Sequence, residues 1–302
     1  MLNGIINVNK SAGFTSFDVV ARLRSITHQK KIGHTGTLDP DATGVLPVCL
    51  GNATRVCSLL TDWDKCYRAK MRLGIKTDTQ DISGTVTKTG DASGISSEDI
   101  QSAILSFVGS YDQIPPMYSA KKVDGKKLYE LARKGVEIER KPCRVTIADI
   151  VIESIEPGVG AVFTVTCSKG TYIRTLCNDI GEKLGCGACM ESLERTRVGC
   201  FDIKDALTLS EIEELFAAEE PEKIQGVLRS VDCLFEEYPG VKVKSGPGEK
   251  ALMNGNILPV RFLEGEIEGR GMIRVYDPSG AFKAIYKWDE KLRAFRSEKM
   301  FL

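Results

Sequence analysis

The chain has 302 residues and a mass of 33.1 kDa, long enough for two folded units. Its 42% apolar and 27% charged residues suit a globular protein with a real core and exclude wholesale disorder. No apolar run reaches the roughly 18 residues of a membrane-spanning helix, and Gly4-Ile5-Ile6-Asn7-Val8-Asn9-Lys10 is too short and polar for a signal peptide, so a cytoplasmic protein is expected.

Ile5-Ile6-Asn7-Val8 predicts a short strand. Thr15-Ser16 then cap a helix in which Phe17, Val20, Leu23 and Arg24 follow a 3.6-residue period. Arg22, Arg24, Lys30 and Lys31 make 22–31 basic without an acid. Three glycines and a proline in Gly33-His34-Thr35-Gly36-Thr37-Leu38-Asp39-Pro40-Asp41-Ala42-Thr43-Gly44 predict a shaped loop, followed by an apolar strand over 45–50. Residues 65–73 alternate, with Tyr67, Ala69, Met71 and Leu73 on one face and Arg68, Lys70 and Arg72 on the other, as a half-buried strand does. A helix is expected over 96–109, closed by Gly109, and a shorter basic helix over 126–135. Strands at 145–150 and 162–167 precede a helix at 171–185 whose Tyr172, Leu176, Ile180 and Leu184 turn inward.

The stretch 205–238 holds ten acids against Lys223 and Arg229 and reads as a helical cover or linker. From about Val241 the pattern changes to short β-like runs broken by Gly and Pro, a small all-β module. The expected architecture is therefore α+β, with a central mixed or antiparallel sheet flanked by helices over 1–235 and a β-rich domain over 239–302. Ten cysteines in a chain without a secretory signal read as reduced thiols. Cys186-Gly187-Ala188-Cys189 has CxxC spacing but lacks a second pair at zinc-ribbon distance.

Pro40 restricts Asp39 to extended backbone angles, so the loop can hold this carboxylate rigidly against a ligand. Asp-Pro alone is a common turn. Its companions carry more weight. Gly33-His34-Thr35-Gly36-Thr37-Leu38-Asp39-Pro40 with Ala42-Thr43-Gly44-Val45-Leu46 resembles the catalytic motif of the TruB family of tRNA pseudouridine synthases. The resemblance runs on through Gly51-Asn52-Ala53-Thr54-Arg55, Lys65-Cys66-Tyr67-Arg68, Gln113-Ile114-Pro115-Pro116-Met117-Tyr118-Ser119-Ala120-Lys121-Lys122, Gly125-Lys126-Lys127-Leu128-Tyr129 and Cys167-Ser168-Lys169-Gly170-Thr171-Tyr172-Ile173-Arg174, in the family's order up to about residue 200.

That resemblance implies isomerisation of a uridine in the T loop of tRNA. Asp39 would enable cleavage of the uracil–ribose bond, either by adding to the ribose or by removing a ribose proton, and the base would turn and reattach through carbon. No redox or phosphoryl step is involved, so neither cofactor nor metal is implied. Arg174 would pair with Asp39, lower its pKa and fix its orientation. Tyr67 would stack on the extruded uracil and take part in proton transfer. Leu193 would pack under the base, and His34 would fill the space that the base leaves. Thr37 and Tyr172, within these motifs, and Lys10, which matches an N-terminal motif of the family with Ser11 where proline is usual, are candidate substrate contacts.

The basic segment, with nine Lys and Arg against four acids over 119–144, corresponds to the family's insertion over the T arm. There Lys121, Lys122, Lys126 and Lys127 would contact phosphates. The C-terminal module resembles the small RNA-binding PUA domain. A stand-alone monomer acting on the tRNA T stem-loop, without membrane or obligate protein partner, is the expected whole. Three other readings are weaker: a guide-RNA-dependent synthase would carry basic tails, a pure RNA chaperone would not need Asp39, Tyr67 and Arg174 together, and a hydrolase would need a second carboxylate or a metal cluster, with Asp41 and Asp81 as candidates.

Overall fold

In the computed structural model, which describes residues 2–302 apart from 120, 124, 133, 219 and 266–269, and only the backbone of 122, 126 and 127, the chain enters a central sheet at once. Strand β1 (Gly4–Lys10) is buried along nearly its whole length. Helix α1 (Ser16–Thr27) starts at a reciprocal cap: the Thr15 hydroxyl accepts from the Asp18 amide, and the Asp18 carboxylate accepts from the Thr15 amide. It buries Ser16, Val19, Val20 and Leu23, so Phe17, expected on the inner face, points outward and is 72% exposed. The short strand β2 (Ile32–His34) leads into the Asp39 loop, and β3 (Thr43–Leu50) leaves it fully buried beyond its first residue.

A short helix α2 (Cys57–Thr61) connects to β4 (Lys65–Leu73), which alternates as the sequence implies. A small hairpin follows, β5 (Ile75–Thr77) with β6 (Val86–Thr89), and then α3 (Ser97–Leu105), capped by Ser96, and β7 (Gly109–Gln113). The basic helix expected over 126–135 is instead a two-residue hairpin, β8 (Lys122–Val123) with β9 (Lys126–Lys127), followed by the single-turn helix α4 (Leu128–Ala132). Gly125, at φ +79°, makes the turn that a continuous helix could not. Long strands β10 (Cys143–Glu156) and β11 (Gly160–Cys167) precede α5 (Ile173–Leu184), β12 (Ala188–Val198) and β13 (Phe201–Asp202). The acidic stretch supplies α6 (Leu209–Ala217) and α7 (Pro221–Val227).

The strands form one nine-stranded sheet in the order β1-β3-β12-β4-β11-β10-β7, with β2 beside β3 and β13 beside β12. Every pairing is antiparallel except β12 with β3, which run parallel for two residue pairs, Glu194 with Thr43 and Arg195 with Gly44. Helices α3 and α5 cover the β4-β11-β10 half through Ile100, Ile104, Leu176 and Ile180, while α1 and α6 cover β1 and β3 through Val19, Val20, Leu23 and Ile212.

The C-terminal part has its own four-stranded sheet: β14 (Gly240–Lys242), then, after helix α8 (Pro247–Met253), β15 (Met272–Tyr276), β16 (Phe282–Asp289) and β17 (Ala294–Met300). It packs a separate core around Val243, Leu252, Val275 and Tyr286. The two sheets meet in one apolar cluster in which Ile5, Val45 and Phe201 join Leu234, Phe235, Ile285 and Phe301. Ring centroids of Phe235, Phe282 and Phe301 lie 5.2–6.2 Å apart there. Among the described residues, no helix is long and apolar enough to cross a membrane.

Candidate active site

The Asp39 loop is tied down from three sides. From α1, the Leu38 amide donates to the Ser16 hydroxyl at 2.9 Å. From β3, the Pro47 carbonyl accepts from both the amide and the hydroxyl of Thr35, at 3.2 and 3.1 Å. From β1, the buried Lys10 ammonium donates to the carbonyls of Pro40 (2.9 Å), Phe14 (2.7 Å) and Ser11 (3.0 Å). Three donors meeting three carbonyls leave none for a ligand. The expectation that Lys10 contacts substrate is therefore corrected: it braces the underside of the loop, and burial pulls its pKa down to about 8.

Arg174, in the first turn of α5, reaches the loop from the opposite half of the sheet. Its Nη2 donates to both carboxylate oxygens of Asp39, at 2.8 and 2.7 Å. Its Nη1 stands 3.6 Å from the Asp81 carboxylate, so one guanidinium lies between two anions. Asp81 is itself fixed by the Thr79 and Ser83 hydroxyls and the Ser83 amide. The helix start is held by Gln113, whose side-chain amide both donates to and accepts from the Tyr172 backbone.

Burial and charge oppose each other at Asp39. Burial pushes its carboxyl above the ordinary carboxylate value, and the nearby Asp81 charge adds to this, while Arg174 pulls down. The net shift is upward: Arg174 lowers the pKa, as expected, without cancelling the push of burial. What the arginine does is orient the carboxylate and limit the rise.

Tyr67, on β4, is half-buried, and burial raises its phenol against the opposing pull of Arg195. Arg195 is the residue that sequence reasoning missed. Nearly fully buried on β12, it is the cross-strand partner of Tyr67, and its charge opposes the rise of the phenol's pKa. Its Nε donates to the Val45 carbonyl at 2.7 Å and its Nη2 to the Gly36 carbonyl at 3.2 Å, so one side chain joins both ends of the Asp39 loop. Gly44 lets β12 come this close: at φ +101°, a Cβ there would stand 2.3 Å from the Arg195 carbonyl oxygen.

His34 lies at the loop entrance, its Nδ1 accepting from the Gly36 amide at 3.3 Å. Burial and Arg195 lower its pKa, which favours the neutral ring. Leu193 is half-buried on β12, opposite Ala69. Thr37 is exposed on the loop, and Tyr172 is half-buried at the start of α5. The Lys121 ammonium donates to the Cys143 sulfur. The side chains of Lys122, Lys126 and Lys127 lie outside the described residues. Cys186 and Cys189 are buried free thiols.

A carboxylate oriented by a nearly buried arginine can attack or deprotonate a bound ligand. Comparison with known proteins gives this geometry its class. The chain shares its fold with a chain of a Cbf5-Nop10-Gar1 complex, at a TM-score of 0.72 and 26% identity over 99% of this chain and 85% of that one. A chain of an H/ACA ribonucleoprotein bound to a substrate RNA containing 2′-deoxyuridine gives 0.71 at the same identity, again over 99% of this chain and 85% of that one. The fold and the relatives are those of a pseudouridine synthase, an isomerase.

Two family models narrow this further: the N-terminal domain of the TruB family pseudouridylate synthases matches residues 24–173, and the tRNA pseudouridylate synthase B C-terminal domain matches 174–236. A protein of Lachnoclostridium phytofermentans called tRNA pseudouridine synthase B is 51% identical over the full length of both chains. One of Clostridium perfringens with the same name is 43% identical over 100% of this chain and 99% of its own. The chain belongs to the TruB family of tRNA pseudouridine synthases.

Proposed function

We propose that the chain converts the T-loop uridine of tRNA, position 55, to pseudouridine, with Asp39 as the essential carboxylate. The observation that carries this reading is the Asp39 carboxylate gripped through both oxygens by the nearly buried Arg174. The uridine is drawn out of the loop into the cleft, and His34, its ring neutral, takes the vacated space. Asp39, as nucleophile or as base towards the ribose, enables the bond from ribose C1′ to uracil N1 to break. The freed base turns against Tyr67 with Leu193 beneath it, and C1′ bonds to C5 as the Asp39 carboxylate leaves C1′ or, where it acted as base, returns the ribose proton. The C5 proton then leaves and N1 ends protonated, so the isomer has the composition of the substrate. Tyr67, the cross-strand partner of Arg195, passes that proton.

Lys121, Lys122, Lys126 and Lys127 of the insertion at 113–144 and the PUA-like domain at 239–302 bind the phosphates of the T arm. The protein acts as a monomer. The test is Asp39→Asn with a T stem-loop RNA. Pseudouridine formation should fall by at least about a thousandfold while the RNA still binds. A variant that modifies the RNA at the wild-type rate would remove Asp39 from the chemistry, and tRNA position 55 still modified in cells lacking the protein would remove the substrate assignment.

A further inference from the structure

The chain has 21 aromatic residues, 11 Phe, 8 Tyr and 2 Trp. Among the described residues only Phe14 and Phe17 are exposed. Both belong to the segment that braces the catalytic loop. Lys10 bonds the Phe14 carbonyl and Pro40 together, and Ser16, the residue before Phe17, bonds the backbone of Leu38 beside Asp39. The Phe17 ring lies 5.6 Å from His34 with the two planes at 82°. In a perpendicular pair only one face of a ring can be covered by its partner, and the 72% exposure of Phe17 agrees.

Helix packing does not require this ring, since α1 makes its core contacts through Val19, Val20 and Leu23. The cap formed by Thr15 and Asp18 fixes the helix start, so the ring is presented from a rigid base. We infer that Phe17 is a stacking platform for an unpaired nucleobase of the substrate RNA, next to the uridine that enters the cleft. This rests on the proposed RNA reaction and adds a base-binding subsite to it. A free aromatic face suits any splayed-out base, because stacking tolerates sequence, and the contact fixes the path of the loop on the His34 side of the cleft. Phe14, 42% exposed, flanks the platform.

The test uses the whole protein with a T stem-loop RNA and with versions carrying one abasic ribose at each loop position in turn, the target excepted. Phe17→Ala should lower kcat/KM roughly 5- to 150-fold, chiefly through KM. Phe17→Trp should restore it and Phe17→Leu should not, since an aliphatic side chain cannot stack. At one loop position, the abasic penalty and the Phe17→Ala penalty should fail to add. Additive penalties at every position, or a fully active Phe17→Leu, would overturn the inference while leaving the proposed function intact. A wild-type protein inactive on the unmodified stem-loop would remove both. A dimer of the free protein that Phe17→Ala dissociates would assign the ring to self-association and overturn the inference as well.

Discussion

Removing the guanidinium that orients Asp39 is the sharpest perturbation of this site. In Arg174→Met the carboxylate loses two hydrogen bonds, and the charges left near it are the like charge of Asp81 and the weaker, opposite one of Lys10. Opposite charges 2.7 Å apart attract by about 6 kcal/mol at an effective dielectric of about 20 and by about 1.5 kcal/mol in bulk water. Arg174 is 8% exposed and Asp39 41%, so the effective value lies between these limits, at about 2–4 kcal/mol. Single-turnover kcat on a T stem-loop should fall roughly 30- to 900-fold. The pH dependence provides a second readout. Arg174 opposes the upward push of burial on the Asp39 carboxyl, so without it the acid limb of the rate profile moves to higher pH, because the ionised form is the active one. Arg174→Lys keeps the charge without the fork and should fall between. A kcat for Arg174→Met within threefold of wild type, with an unmoved acid limb, would refute the role given to this pair.

Gly44→Ala would drive a methyl into the Arg195 carbonyl on a backbone that L-residues avoid, and should cost at least about 2–3 kcal/mol in urea unfolding. A variant of wild-type stability would show that β12 does not need this close approach. Lys10→Met strips the donor from three carbonyls and should cost about 2–4 kcal/mol of stability with RNA affinity retained. The reverse pattern, intact stability and lost affinity, would return Lys10 to the RNA surface. Folding lowers the Lys10 pKa from 10.5 to about 8, so between those values the unfolded chain binds more proton. The stability gap between wild type and this variant should therefore widen as pH rises across that window.

Alternation, caps and glycines made β4, α1, α3 and α5 readable, because each depends on neighbours a few residues away. The Asp39 loop was readable for the same reason, and its partners followed from motif order. Strand β12 was not. Its sequence, Ala-Cys-Met-Glu-Ser-Leu-Glu-Arg-Thr-Arg-Val, is half polar, yet it lies between β3 and β4 in the middle of the sheet. A Glu-Arg-Thr-Arg run reads as solvated surface. The parallel contact with β3 turns Arg195 inward, where the carbonyls of Val45 and Gly36 take up its donors. Lys10 misled for the converse reason: a motif lysine suggests a phosphate contact, and its three carbonyl partners lie as far along the chain as Pro40. The hairpin at β8 and β9 escaped because helix-forming residues outvoted a single glycine.

The apolar cluster shared by the two sheets has a mechanical consequence. Phe235, Phe282 and Phe301 interlock with Ile5, Val45 and Phe201, so the catalytic half and the C-terminal half are joined by close-packed hydrocarbon rather than by a tether. Whatever the C-terminal sheet grips is held at one fixed distance and bearing from Asp39. A ligand that touched both halves would therefore meet them at a single spacing, set by the shared apolar cluster.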